Sequence, residues 1–253
     1  MKLALLSDIH ANLHAFEACL AHAEAAGAQG YALLGDLVGY GAFPAQVVQR
    51  AMRLAEAGAL MVKGNHDHYA NVAIADATKM AHTGVAWTQE QLSAEERAFL
   101  AALPLTARTG RALLVHASAD APSHWHYVTT PQTAALSLEG AATPPIGSED
   151  VRYVFGGHVH RQTLYFRGGA GRLMPFEPTP GVVIPVPRHR HWLATVGAVG
   201  QPRDGRTDAM YALFDDTAQQ LTFHRVPYDV QAAADAIRAT PLPVFFADRL
   251  EVG

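Results

Sequence analysis

Five short polar clusters carry side chains that suit cation binding: Asp8-Ile9-His10, Gly35-Asp36, Gly64-Asn65-His66-Asp67, His116, and Gly157-His158-Val159-His160. Each offers carboxylate, amide oxygen or imidazole, and none offers a thiolate. That donor set suits manganese, iron, zinc, cobalt or nickel better than soft Cu(I). Asp8 and His10 are two residues apart, and so are His158 and His160. On extended backbone such pairs point the same way, so each pair could hold one ion or two adjacent ones. Glycines before Asp36, Asn65 and His158 permit tight turns and close backbone approach. Taken singly the clusters are ordinary, since Gly-Asn-His-Asp is a good turn sequence and His-x-His is more often a surface feature. Their shared position, each directly after a short apolar run, is what a chance reading must also explain.

Those runs are the elements that must position the clusters. Leu3–Leu6, Tyr31–Leu34, Leu60–Val62, Ala112–Val115 and Val151–Phe155 read as strands, the first of them buried on both faces. Helices are predicted over His14–Ala26, with Gly27 as a stop, and from Pro44 with Val47, Val48, Ala51 and Leu54 as its apolar stripe. Two more are predicted over Thr78–Gln91 and Ala94–Ala102, the second capped by Ser93 with Glu96 three residues on. Later strands are predicted at Gln162–Phe166, Leu193–Val196, Met210–Asp215 and Gln220–Val226, in meander order with little helix between. A late helix is predicted over Asp229–Ala239. The Gly- and Pro-rich stretch Gly168–Arg190 reads as loops with an irregular hairpin. Strand–helix alternation early and strands later predict an α/β fold, a two-sheet β-sandwich flanked by helices, in a single domain spanning residues 1–253. In open α/β folds the carboxyl ends of strands line the ligand crevice, which would gather the clusters in one place.

Bulk composition narrows the function classes. The chain has 253 residues, 49% of them hydrophobic, which suffices for a large core. Its net charge of −4 lacks the basic footprint of a long nucleic-acid binder and disfavours a nuclease module. A single cysteine, Cys19, forbids an internal disulfide and is read as core on the apolar face of a helix. The N-terminal apolar run stops at Ser7-Asp8, short of a secretory leader, and no window approaches the ~18 apolar residues of a membrane span. A soluble, cytoplasmic protein is expected. Composition gives no oligomeric state.

The ordered set of clusters resembles the calcineurin-like metallophosphoesterase superfamily over residues 3 to about 160. Three further stretches are similar to a bacterial subgroup of small metallophosphoesterases: Gly35-Asp36-Leu37-Val38-Gly39-Tyr40-Gly41, His116-Ala117-Ser118 with Trp125, and Val199-Gly200-Gln201-Pro202-Arg203-Asp204. With them the resemblance covers nearly the whole chain. It implies two divalent or trivalent metals, manganese first and iron, zinc, nickel or cobalt as alternatives. One would be held by Asp8, His10, Asp36 and His160. The other would be held by Asp36, Asn65, His116 and His158, with Asp36 bridging. It places His66 at the substrate phosphate, protonating the leaving oxygen or stabilising charge, with Asn65 beside it. The physics agrees. Two cations about 3.5–4 Å apart can clamp a phosphoryl group, and cation-bound water loses a proton near neutral pH.

Departures from the family pattern matter as well. The protein serine/threonine phosphatase branch carries Gly-Asp-x-Val-Asp-Arg-Gly, where this chain has Gly39 and Tyr40 for the second Asp and the Arg. Protein phosphatase activity is therefore disfavoured, and Asp67 becomes a candidate to orient His66. Close relatives often show Asn-Pro-Gly-Ser where this chain has Thr195-Val196-Gly197-Ala198. Asn12 either reaches phosphate or caps the following helix. His68 and His126 read as outer or surface residues, Arg188–His191 as a solvated basic loop, and Trp87 and Trp125 as packing residues, Trp125 also as a possible border of the cleft. The expected substrate is a small phosphomonoester or phosphodiester, nucleotides included. The alternatives are a dinucleoside polyphosphate hydrolase, a protein phosphatase, or a non-catalytic scaffold, which intact ligand positions and His66 argue against.

Overall fold

The computed structural model describes residues 1–73, 80–167 and 172–253. In chain order its strands are β1 (Lys2–Leu6), β2 (Gly30–Leu33), β3 (Leu60–Met61), β4 (Thr106–Thr109), β5 (Ala112–Val115), β6 (Tyr153–Gly156), β7 (Gln162–Arg167), β8 (Leu173–Phe176), β9 (Val183–Pro185), β10 (Trp192–Val196), β11 (Ala209–Asp215) and β12 (Gln220–Val226). The helices are α1 (Leu13–Ala25), α2 (Pro44–Glu56), α3 (Asn65–Tyr69), α4 (Met80–Gln91), α5 (Ala94–Ala102), α6 (Pro131–Ala141), α7 (Val230–Arg238) and α8 (Phe245–Val252). Thr78 and Lys79, placed by the sequence at the start of α4, lie outside the described residues.

Two mixed six-stranded sheets pack face to face, in the orders β3-β2-β1-β11-β12-β9 and β4-β5-β6-β10-β7-β8. The continuous apolar run of β1 divides between two layers, because successive side chains of a strand face opposite ways. Leu3 and Leu5 join Leu34, Leu114, Phe155, Phe214 and Phe223 between the sheets. Ala4 and Leu6 face outward onto Phe16, Cys19 and Leu20 of α1 and Val47 and Val48 of α2. On the far side, Ala134 and Leu138 of α6 cover Leu113, Val115, Val154 and Leu193. Full burial of each such Leu or Phe contributes roughly 1.5–3 kcal/mol.

The early alternation gives what it predicted: β1, β2 and β3 are parallel neighbours. The predicted cap of α5 also holds, and α7 has one of its own. Ser93 accepts from Glu96 N while Glu96 returns the bond to Ser93 N. Asp229 caps α7 through Ala232 N at 2.9 Å.

The second half departs from a meander. β10 inserts between β6 and β7, parallel to the first and antiparallel to the second. β11 instead pairs with β1 in the other sheet, and β12 pairs with β11. Nor does the Gly168–Arg190 stretch form a hairpin. β8 pairs with β7 in one sheet and β9 with β12 in the other, so the chain between them crosses the sandwich at its edge. Residues 168–171 of that stretch lie outside the described residues. Strand β4 and helices α3, α6 and α8 were not anticipated. The alanines and Ser137 on the inner face of α6 contrast too little with its outer face to show a clear period.

Candidate metal centre

The parallel strands of both sheets deliver the polar clusters from their carboxyl ends. Past Leu6 the pairing of β1 with β2 continues as single backbone bonds: Asp8 N to Gly35 O at 3.0 Å and His10 N to Asp36 O at 2.9 Å. Asp8, His10, Asp36, His158 and His160 all have φ between 48° and 67°. For residues other than glycine, such a conformation costs on the order of 1–3 kcal/mol and gathers at functional sites. This replaces the extended i, i+2 geometry expected from sequence. Left-handed turns at the strand ends, rather than pleat, aim each pair inward. The turns also bring backbones close. A side chain at Gly157 would collide with Ser7 and the Asp8 carboxylate.

The seven expected ligand positions converge. His10 Nε2 lies 3.1 Å from His160 Nε2, and Asp8 Oδ1 lies 3.7 Å from the first and 3.2 Å from the second. Beside them, His116 Nε2 lies 3.2 Å from both Asn65 Oδ1 and His158 Nδ1. Asp36 Oδ2 stands between the two groups, 3.7 Å from His10 Nε2 and 3.3 Å from His116 Nε2. Two donors each about 2.0–2.1 Å from a shared ion stand roughly 3.0–3.4 Å apart, so most of these spacings fit ligands of common ions. His66 also comes within 4.8 Å of donor atoms of His10 and Asp36.

Ring orientation fits the same chemistry. Nδ1–H of His10, His160 and His116 faces a carbonyl in each case, of Val38 at 3.1 Å, Gln201 at 2.5 Å and Leu34 at 2.8 Å. A carbonyl only accepts, so each ring keeps its proton on Nδ1 and turns Nε2 toward the centre, the nitrogen a metal-ligating imidazole uses once any proton there is displaced. Asp8 Oδ2 accepts from His158 N at 2.8 Å, while Asp8 Oδ1 is buried without a hydrogen-bond partner among the described residues. Asp36 likewise ties Oδ1 to His66 N at 2.8 Å and leaves Oδ2 for the centre. Burial alone would raise the Asp8 carboxyl, but His160 and His10 outweigh it and hold the group well below the usual carboxylate range. Asp36 is lowered in the same way by His116 and His66. In return, Asp36 pushes His116 up to about 10 against burial, so the buried carboxylates demand positive charge. Burial pushes His66 down to about 4, leaving its ring neutral at pH 7.

Other candidates serve different ends. Asn12 caps α1 through Ala15 N at 3.1 Å and donates to Gly200 O and Tyr228 OH at 3.0 and 3.2 Å. That use takes the place of the phosphate contact considered for it. Asp67 does not orient His66. Its buried carboxylate accepts from Gly64 N, Asp36 N and Leu37 N at 2.8–2.9 Å, fastening the β2 loop to the start of α3. His68 is exposed, and His126 is exposed and pairs with Asp120 at 2.9 Å. Arg188 pairs with Asp216 beside the β11–β12 turn. Burial pushes the Cys19 thiol up, as befits a core residue. Trp87 packs with the α7–α8 cluster, and Trp125 lies 6.0 Å from the His116 ring.

Sequence reading missed the aromatic walls. Tyr127 stacks on His158 at 4.1 Å, and Tyr40 meets the His66 and His10 rings at 4.5 and 4.6 Å. A cavity of about 660 Å³, lined by Tyr127, Thr129, Val159, Arg161 and Glu177 among others, opens on the His158 side. Its walls combine Tyr127 and Thr129 of the His116–Thr143 segment and Pro175 and Glu177 of the Gly168–Arg190 segment with residues of and before β7, a set no local pattern brings together.

Comparison with known proteins adds independent findings. A model of the calcineurin-like phosphoesterase superfamily domain matches residues 1–219. The chain is 29% identical over 257 residues to uncharacterized protein MJ0912 of Methanocaldococcus jannaschii, covering 99% of this chain and 98% of that one. It superposes on a metallophosphoesterase from Sphaerobacter thermophilus with TM-score 0.87 and 33% identity, over 100% of this chain and 99% of the other. A hypothetical protein from Pyrococcus horikoshii shares the fold at TM-score 0.75 and 19% identity, over 98% and 97% of the two chains. By fold, by donor clusters and by these matches, the chain belongs to the calcineurin-like phosphoesterase superfamily and is a metal-dependent phosphoric ester hydrolase.

Proposed function

We propose that this protein hydrolyses small phosphomonoesters or phosphodiesters, nucleotides among them, at a dinuclear centre. The observation that carries the dinuclear reading is the placement of Asp36 Oδ2 between the His10 and His116 nitrogens. Asp8, His10, Asp36 and His160 would hold one cation, and Asp36, Asn65, His116 and His158 the other. When bound, the pair supplies Lewis-acid charge on the phosphoryl oxygens and lowers the pKa of water toward neutrality.

The chain's own groups do the positioning. Tyr40 walls His66, and a side chain at Gly39 would collide with the His66 ring, so the loop holds that ring by contact rather than by a carboxylate. Neutral at pH 7, His66 is set to donate an N–H to phosphate, and an arriving dianion would favour its protonation for transfer to the leaving oxygen. The missing Asp and Arg of the β2 loop speak against a protein phosphatase. Manganese remains the first candidate metal, and a cytoplasmic setting fits the single buried cysteine. No described helix is long and apolar enough to cross a membrane.

The test is hydrolysis of p-nitrophenyl phosphate and bis-p-nitrophenyl phosphate by metal-stripped protein, with manganese, nickel, zinc or magnesium added back and Asp36→Asn as control. Metal-dependent turnover lost in Asp36→Asn supports the reading, and the ratio of the two rates assigns monoesterase or diesterase. No turnover by protein shown to hold two metals would overturn it in favour of a scaffold.

A further inference from the structure

A second, smaller cavity of about 240 Å³ lies behind Tyr40, lined by Tyr40, Gln201, Arg203, Phe245, Phe246 and Arg249. Its charges do not balance. Arg203 and Arg249 are both half-buried, and neither has a carboxylate partner among the described residues. Nearby acids are committed elsewhere. Arg225 takes Asp204, and Arg238 takes Asp235, Asp248 and Glu251. Arg203 contacts only neutral groups on its side chain, the Gln201 Oε1 at 2.9 Å and the Tyr40 ring at 5.9 Å. Two half-buried guanidinium groups beside one cavity leave positive charge there that an entering anion would balance.

The cavity adjoins the chemistry. The Tyr40 ring lies 4.5 Å from the His66 ring, and Arg203 N donates to His160 O at 3.2 Å. The guanidinium of Arg203 thus reaches the Tyr40 ring, which in turn meets His66, and so lies beside the reacting site rather than against His66. Guanidinium presents a planar fork of donors that matches phosphate oxygens.

From this geometry we infer that Arg203 and Arg249 form an anion subsite for a second phosphate carried by the leaving group of the substrate. The inference rests on the phosphoesterase reading above and extends its substrate class to phosphoanhydrides such as nucleoside diphosphates, cleaved at the same centre. In that reaction water adds to the terminal phosphorus and the bridging P–O bond breaks. The bridging oxygen departs with the electron pair on the second phosphate, and a proton of the water passes to solvent.

Two measurements test it on metal-loaded protein. The first is kcat/KM for adenosine diphosphate relative to p-nitrophenyl phosphate, whose leaving group carries no phosphate. The second is calorimetric affinity for methylenebisphosphonate relative to methylphosphonate. Arg249→Gln is the cleaner variant, because that side chain has no polar partner among the described residues whose loss could disturb the fold. It should lower both ratios on the order of tenfold, and Arg203→Gln/Arg249→Gln should lower them further. Ratios unchanged in the variants, or both members of each pair falling equally, would overturn the subsite. If the wild type hydrolyses neither substrate with any metal, the phosphoesterase reading fails by itself. The calorimetric ratio then still decides: its loss in Arg249→Gln supports the subsite, and its persistence removes it.

Discussion

Asp36 uses its two carboxylate oxygens differently. Oδ1 holds the first turn of α3 through His66 N, while Oδ2 faces nitrogens from both donor groups. Asp36→Asn should therefore reduce bound metal, measured by elemental analysis, as well as turnover. His66 contributes differently, since it meets substrate rather than binding metal in the reading proposed here. His66→Ala should retain metal stoichiometry and lose roughly 10²–10⁴-fold in kcat. Unchanged turnover in that variant would remove the role assigned to the ring.

At the scale of elements, the centre depends on loops held rigid from behind. Asp67 is the main fastening, a buried carboxylate that satisfies backbone N–H groups of the β2 loop and of the turn before α3. Asp67→Ala leaves those donors unpaired and should cost about 2–4 kcal/mol, seen as a lower urea midpoint, with weaker metal retention. Ser93 provides the contrast. Its capping box stabilises α5 away from the centre, so Ser93→Ala should cost about 1 kcal/mol in the same measurement and leave turnover unchanged. Equal effects of both variants on metal retention would show that the centre senses global stability rather than this fastening.

At the scale of the molecule, both sheets contribute ligands, so cation binding should tie the layers together. At a free metal concentration of 100 times Kd, stabilisation would be about 2.7 kcal/mol per site, and a chelator should lower the melting temperature accordingly. A separate acid sensitivity comes from His224, which stacks on Tyr211 at 4.8 Å. Burial and the neighbouring His22 push His224 down to about 4 from 6.5. Between those values the unfolded chain binds a proton that the folded chain does not, so stability falls as pH drops through that window. His224→Phe should flatten that part of the stability–pH curve, and an unaltered slope would assign the effect elsewhere. The chain by itself determined the early parallel strands, the cap at Ser93, and the positions of the donor clusters, because strand ends, caps and turns are written in a few adjacent residues. It did not show that β10 inserts between β6 and β7, that β8 and β9 lie in different sheets, or that α6 and α8 exist, since pairing between distant strands leaves no local period. Nor could spacing show that left-handed backbone aims Asp8, His10, His158 and His160 inward, or that Arg203 and Arg249 share a cavity with Tyr40. Those follow from packing the two sheets and the C-terminal helices together, which decides which side chains end up as neighbours and which charges are left without partners.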